Sequence, residues 1–266
     1  MNPSPLPSLL EELMRRHPEL DEREARGRIM RGDVLVGTEP ATKPGARVRT
    51  DQDIALKPRP RFVSRAGEKL DAALRRLGVD VAGKVIVDAG SSTGGFTDCL
   101  LHRGASLVYS VDVGRNQIAY SLRQDQRVRL MDGTNVMSLR PGDFSPPPQG
   151  AVCDLSFRSI RRAATVLLDV AAEGWLLALV KPQFEWKTPR DDFRGVVQRE
   201  SDLREILGSL ARDLAGEGCA VCDACPSPIP GRKGNREFFY LIRRSPVVAS
   251  VPPEALLTRL LGERLA

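Results

Sequence analysis

The sequence predicts two parts: a small α+β module over residues 1–60, and a doubly wound, Rossmann-like α/β domain with a mostly parallel seven-stranded sheet over 61–266. Three observations predict it. From Ser64 onward apolar strand patterns alternate with helical ones. A glycine-rich turn follows the first of those strands directly, where open α/β sheets bind ligands. The stiff basic joint Lys57-Pro-Arg-Pro-Arg61 marks the change of rhythm, and 266 residues exceed the usual reach of one core.

Within the first module, Leu9, Leu10 and Leu13 stand at helical spacing over 8–16, and a second amphipathic pattern over 21–31 opens on Asp21, a residue type suited to an N-cap. Asp33-Val-Leu-Val-Gly, Thr42-Lys-Pro-Gly, Arg47-Val-Arg-Thr and Asp53-Ile-Ala-Leu read as short strands and turns. In the second domain a helix over 64–77 leads to a strand from Lys84 to Ala89, a glycine loop, a helix to about 103 and a strand from Leu107 to Val113. That is a βαβ unit. Further strands are expected at Val128 to Met131, Gly150 to Asp154, Trp175 to Val180, Ala220 to Ala224 and Phe238 to Ile242, with helices near 158–172 and 200–215. The order predicts an antiparallel strand at the end of the sheet.

Charge and composition bound the function. A net charge of +6 and a pI near 9.3 favour a polyanionic partner. No apolar run approaches a membrane span, and the start Met-Asn-Pro-Ser-Pro lacks a secretory pattern, so the expected compartment is the cytoplasm. Five cysteines, an odd and scattered set, do not form a secreted disulfide framework.

The loop Val87-Asp88-Ala-Gly90-Ser-Ser92-Thr-Gly94-Gly-Phe96-Thr matches neither the dinucleotide pattern G-x-G-x-x-G nor a P-loop. A small zwitterionic ligand carrying adenosine suits it better. Asp112, ending the next strand, is placed to accept ribose hydroxyls, and Asp132 after the third strand to meet an adenine amino group. The plainer alternative is an ordinary glycine turn with surface acids.

Four residues stand at element ends that converge above such a sheet: Lys69, Asp154, Lys181 and Glu237. Methyl transfer to a hydroxyl is an in-line displacement that needs proton removal or stabilisation of the developing oxyanion. Lys181 is the candidate for that task, with Lys69 as a neighbouring cation and the carboxylates holding both in place. Two unrelated salt bridges are the plainer reading of the same four residues.

The motifs Ser64-Arg65-Ala-Gly-Glu-Lys69-Leu, the loop from Asp88 to Asp98, Asp112-Val-Gly-Arg-Asn-Gln, Asp154-Leu-Ser-Phe, Leu179-Val-Lys-Pro-Gln-Phe-Glu185 and Gly234-Asn-Arg-Glu237-Phe together resemble the TlyA family. These are hemolysin A-like ribosomal RNA 2′-O-methyltransferases with an FtsJ-like catalytic half. The resemblance runs in order from about residue 8 to residue 243. It implies a Lys-Asp-Lys-Glu tetrad at Lys69, Asp154, Lys181 and Glu237, and S-adenosylmethionine held at Asp88, Gly90, Ser92, Gly94, Phe96, Asp112 and Asp132. No metal is implied. The implied substrate is a cytidine ribose in 16S rRNA, 23S rRNA or both, met as free rRNA or in ribosomal subunits.

The first 60 residues resemble an S4-like RNA-binding domain, through Arg23-Glu-Ala-Arg26-Gly-Arg28-Ile-Met-Arg31-Gly-Asp and Lys43-Pro-Gly. This implies RNA contacts from Arg23, Arg26, Arg31 and Lys43, joined by Arg65 in the next domain. The module departs from the pattern in its Pro-rich opening and in Gly37-Thr-Glu-Pro, where Asn-Gly is common. Its 11 Lys and Arg nearly balance 10 Asp and Glu, so arrangement and not net charge must carry binding. Arg158 is a further departure, read as a surface arginine.

Cys219-x-x-Cys222-x-x-Cys225 lacks a nearby fourth ligand and reads as buried thiols on a strand rather than a metal site. Two other function classes remain as alternatives: a non-catalytic RNA-binding or ribosome-assembly factor on a methyltransferase scaffold, and a membrane-lytic hemolysin. For the second, the sequence offers only a modest amphipathic tail at Pro253 to Leu265, which reads as a packed terminal helix.

Overall fold

The computed structural model describes residues 6–58, 60–156, 159–244 and 251–262. Arg158 and Arg59 of the basic joint lie outside the described residues. The chain divides into two compact units, Met1–Arg59 and Pro60–Ala266, each with its own core.

In the first unit α1 (Leu9–Arg16) begins at Ser8, whose side chain caps Glu11 N while Glu11 reaches back to the Ser8 amide, a reciprocal capping box. Asp21 caps α2 (Glu22–Met30) by accepting from Glu24 N at 2.7 Å. β1 (Val34–Val36) pairs antiparallel with β2 (Glu39–Ala41) and β3 (Ile54–Leu56), on either side of it. Leu9, Leu13, Ala25, Ile29, Val34, Val48 and Ile54 form the core. Each large side chain buried there stabilises the module by roughly 1.5–3 kcal/mol. Arg23, Arg26, Arg31 and Lys43 are all exposed, with Arg26 paired to Glu22 and Arg31 to Asp33. Arg28 instead turns inward and donates to the Lys57 carbonyl at 2.5 Å.

The second unit opens with α3 (Arg65–Arg76), capped by Ser64, followed by β4 (Val85–Ala89), α4 (Gly95–His102) and β5 (Leu107–Asp112). After them come α5 (Tyr120–Arg123), β6 (Val128–Asp132), β7 (Gly150–Cys153), α6 (Ile160–Val170) and β8 (Trp175–Val180). The remaining elements are α7 (Pro182–Glu185), α8 (Glu200–Gly216), β9 (Cys219–Pro226), β10 (Phe238–Arg244) and α9 (Pro253–Gly262). Seven strands form one sheet in the order β6-β5-β4-β7-β8-β10-β9, parallel except for β10. The antiparallel strand is therefore last in the chain but not at the edge: it inserts between β8 and β9. The strand order reverses at β4, so the loops after β4 and β7 flank the switch point at the carboxyl ends of the strands.

Apolar cores cover both faces of the sheet, which is why β7 and β8 read as continuous apolar runs. Cys219 and Cys225 pack into different cores, separated by a register shift in the β9–β10 ladder. The apolar side of α9 (Leu256, Leu257, Leu260, Leu261) is buried in the domain core. Among the described residues no helix is long and apolar enough to cross a membrane.

Candidate active site

The glycine loop is shaped by close approach. Gly90 has φ +82°, and a Cβ there would lie 2.6 Å from the Asp154 carbonyl oxygen, so the loop sits directly against the end of β7. Gly94, at φ +94°, is the N-cap of α4 with no side-chain cap, and its missing Cβ leaves room for Leu122 and Ile118. Gly94 therefore offers no side-chain cap to the first amides of α4, whose N-terminus favours a carboxylate.

Asp88 lies beneath this loop, fully buried in β4. Its Oδ2 accepts from Thr97 Oγ1 at 2.6 Å, while its Oδ1 has no hydrogen-bond partner among the described residues. Burial pushes its carboxyl up to about 7, and the Thr97 hydrogen bond only partly opposes this. Asp112 ends β5 and accepts from Ser92 N at 2.8 Å and Gly114 N at 2.7 Å. A carboxylate offers about four acceptor directions, so two remain. Asp132 accepts from Asn116 N at 3.1 Å and stands 3.7 Å from Arg123.

The four tetrad residues form two lysine–carboxylate pairs. Lys69 on α3 donates to Glu237, just before β10, at 2.5 Å, and both side chains are buried. Lys181, directly after β8, is ion-paired with Asp154, directly after β7, and donates to Ser156 Oγ at 3.1 Å. Each lysine is thus held by its own carboxylate, Lys69 by Glu237 and Lys181 by Asp154.

Both pairs line one cavity of about 540 Å³ together with Gly90, Ser92, Phe96 and Arg65. Asp88, Gly94, Asp112 and Asp132 are not among its lining residues, although Asp112 is tied to it through Ser92. Sequence reasoning missed Arg232 and Lys233, exposed cations lining the same cavity, and Gln183, whose Oε1 is buried there without a hydrogen-bond partner among the described residues. The first two were legible as a basic turn, Pro230-Gly-Arg-Lys-Gly, ending three residues ahead of Glu237. Glu185, by contrast, is structural: burial raises its pKa, and it accepts from Ser159 Oγ, Ile160 N and Arg161.

The residues suit an adenosine-bearing sulfonium amino acid. The cavity has the size of a small-molecule site, α4 presents an N-terminus without a side-chain cap from Gly94, and Asp112 is fixed with spare acceptors beside the loop.

Comparison with known proteins gives the family. Residues 62–244 match the family of FtsJ-like methyltransferases. A provisionally named rRNA methyltransferase of Bacillus subtilis, YqxC, is 41% identical over 219 residues, covering 81% of this chain and 78% of that protein. The Mycobacterium tuberculosis 16S/23S rRNA (cytidine-2′-O)-methyltransferase TlyA is 36% identical over 235 residues, 87% of this chain and 88% of its own. A solved structure from Streptococcus thermophilus, provisionally titled a hemolysin, superposes with a TM-score of 0.72 at 33% identity, over 97% of this chain and 95% of that one. The chain belongs to the FtsJ-like methyltransferase family, in the group that holds these TlyA and hemolysin-named relatives.

Proposed function

We propose that this protein transfers a methyl group from S-adenosylmethionine to a ribose 2′-hydroxyl of ribosomal RNA, a cytidine in 16S rRNA, 23S rRNA or both. The observation that carries the reading is the pair of lysine–carboxylate couples on the wall of one cavity, beside a loop shaped for an adenosine-bearing ligand. The names of the relatives supply the RNA and the nucleotide.

S-adenosylmethionine supplies an electrophilic methyl group on a sulfonium. Gly90, Ser92 and Phe96 line the cavity that would hold it, and the α4 amides, Asp112 and Asp132 would serve its carboxylate, ribose and base. Lys181 would orient the 2′-hydroxyl and activate it for methylation, with the displaced hydroxyl proton passing to the Lys181–Asp154 couple. Asp154 holds Lys181 in place, and Ser156 fixes its direction. The buried Lys69–Glu237 couple is a rigid polar wall that positions the ribose.

Arg65, Arg232 and Lys233 at the cavity hold flanking phosphates, and the S4-like module of residues 1–60 adds contacts through Arg23, Arg26, Arg31 and Lys43. The target nucleotide is turned out of its stack, since a sugar within a duplex cannot align with the methyl group. This work takes place in the cytoplasm. Incubation with tritiated S-adenosylmethionine and unmodified ribosomal subunits, followed by nuclease digestion and mass spectrometry, is expected to yield a ribose-methylated cytidine. Demonstrated cofactor binding with no transfer to either subunit or to free rRNA would overturn the reading.

A further inference from the structure

We infer that a second cavity, sharing an aromatic wall with the reaction site, takes the unstacked base of a nucleotide flanking the methylated one. The inference rests on the RNA-methylating reading above. This cavity measures about 370 Å³ and lies among α6, α7 and the residues after α7. Phe184 lines both cavities. Phe193 lines the reaction site, and its ring meets that of Trp186, in the second cavity, edge to face at 5.2 Å between centroids. The two cavities are thus neighbours across a partition of three aromatic rings, a short step for adjacent nucleotides of one strand.

Two residues lining the second cavity each carry a buried, unpaired donor. Trp186 Nε1 and Arg161 Nη2 have no hydrogen-bond partner among the described residues. The other Arg161 nitrogens are engaged: Nε donates to Asp213 at 2.8 Å, and Nη1 to Glu185 at 2.9 Å. The aromatic lining offers a face for stacking, which every base accepts.

Phe184 and Trp186 in the lining favour a base over a bare phosphate for the interior. Arg162 and Lys187, both exposed, supply cations for the phosphate that follows. Lys187 also pairs with Asp213 at 2.9 Å, so Arg162 is the stronger phosphate contact.

Tryptophan emission tests this in the full chain. The protein has two tryptophans, Trp175 and Trp186, and Trp175 is buried in the sheet at 3% exposure, so a base entering the second cavity quenches Trp186 selectively. The probe is an oligocytidylate decamer carrying a terminal dye, read in parallel by anisotropy. The expected result is saturable quenching in the parent and none in Trp186→Phe, with weaker binding by Trp186→Phe and by Arg162→Ala, on the order of 10-fold for the loss of one base contact. The KM for rRNA should rise in both variants while kcat holds. A parent that methylates rRNA but shows no quenching with the decamer, or variants that bind it as the parent does, would overturn the inference alone. A parent that neither binds the decamer nor methylates rRNA would overturn both this inference and the proposed activity.

Discussion

The Lys69–Glu237 couple gives the sharpest energetic prediction. The two side chains are 6% and 4% exposed, and they join α3 to the start of β10 across 168 residues of sequence. Replacing either one alone, as in Lys69→Met or Glu237→Leu, leaves its partner charged and buried, which costs about 3–5 kcal/mol. A domain of this size is stable by only about 5–15 kcal/mol, so a single variant loses a large part of its margin, and its Tm falls by roughly 6–20 °C. Replacing both, as in Lys69→Met with Glu237→Leu, removes the two desolvation costs together and should return stability to within about 1 kcal/mol of the parent. Urea unfolding of the four proteins closes a double-mutant cycle, and these costs imply a coupling of at least about 5 kcal/mol. All three variants should lose methyl transfer, the stable double variant included. That combination would mean the couple is kept for the reaction and not for folding. Single variants within about 0.5 kcal/mol of the parent, or strictly additive costs in the double, would refute the reasoning.

Three further outcomes follow from the same geometry. Asp88 binds its proton more tightly folded than unfolded, so its contribution makes stability fall as pH rises from about 4 to about 7. The interval from 3.8 to about 7 corresponds to a loss of at most about 4 kcal/mol. Glu185 adds to the same slope. Urea midpoints at pH 5 and pH 8 should differ less in Asp88→Asn than in the parent, and an equal or larger difference in the variant would contradict the assignment. Gly90→Ala places a Cβ 2.6 Å from the Asp154 carbonyl at a positive φ, at a cost of about 1–2 kcal/mol for the backbone alone. Displacement of Asp154 should cut methyl transfer more than it cuts thermal stability, as paired activity and Tm measurements would show. Substituting both Arg232 and Lys233 by Ala should weaken rRNA binding at every sequence tested and reduce the slope of log affinity against log salt by about 2, whereas an unchanged slope would remove them from the phosphate contacts.

Much of the second domain was legible because local pattern and final environment agree there. Trp175–Val180 reads as a buried strand since both of its faces are covered, and the loop from Gly90 to Phe96 reads as a ligand turn since its glycines are required by close packing. The short helix Pro182–Glu185 was not legible, because one turn begun by Pro182 carries no periodicity. Nor was the insertion of β10 between β8 and β9, since strand order is set by non-local pairing. The tetrad residues could be named from their positions at element ends and the family resemblance. Which lysine holds which carboxylate depended on the β7–β8 and α3–β10 juxtapositions, which no spacing encodes. Arg232, Lys233 and Trp186 passed unnoticed because a basic turn and a lone tryptophan are commonplace until a cavity gathers them.

The central claim is that Lys181 activates the ribose hydroxyl. It is tested most directly by comparing tritium transfer from S-adenosylmethionine to unmodified ribosomal subunits by the parent and by Lys181→Ala, with cofactor affinity measured on the same samples. The account predicts a loss of transfer of at least about 100-fold with cofactor affinity nearly intact. Equal transfer by the two proteins would contradict it.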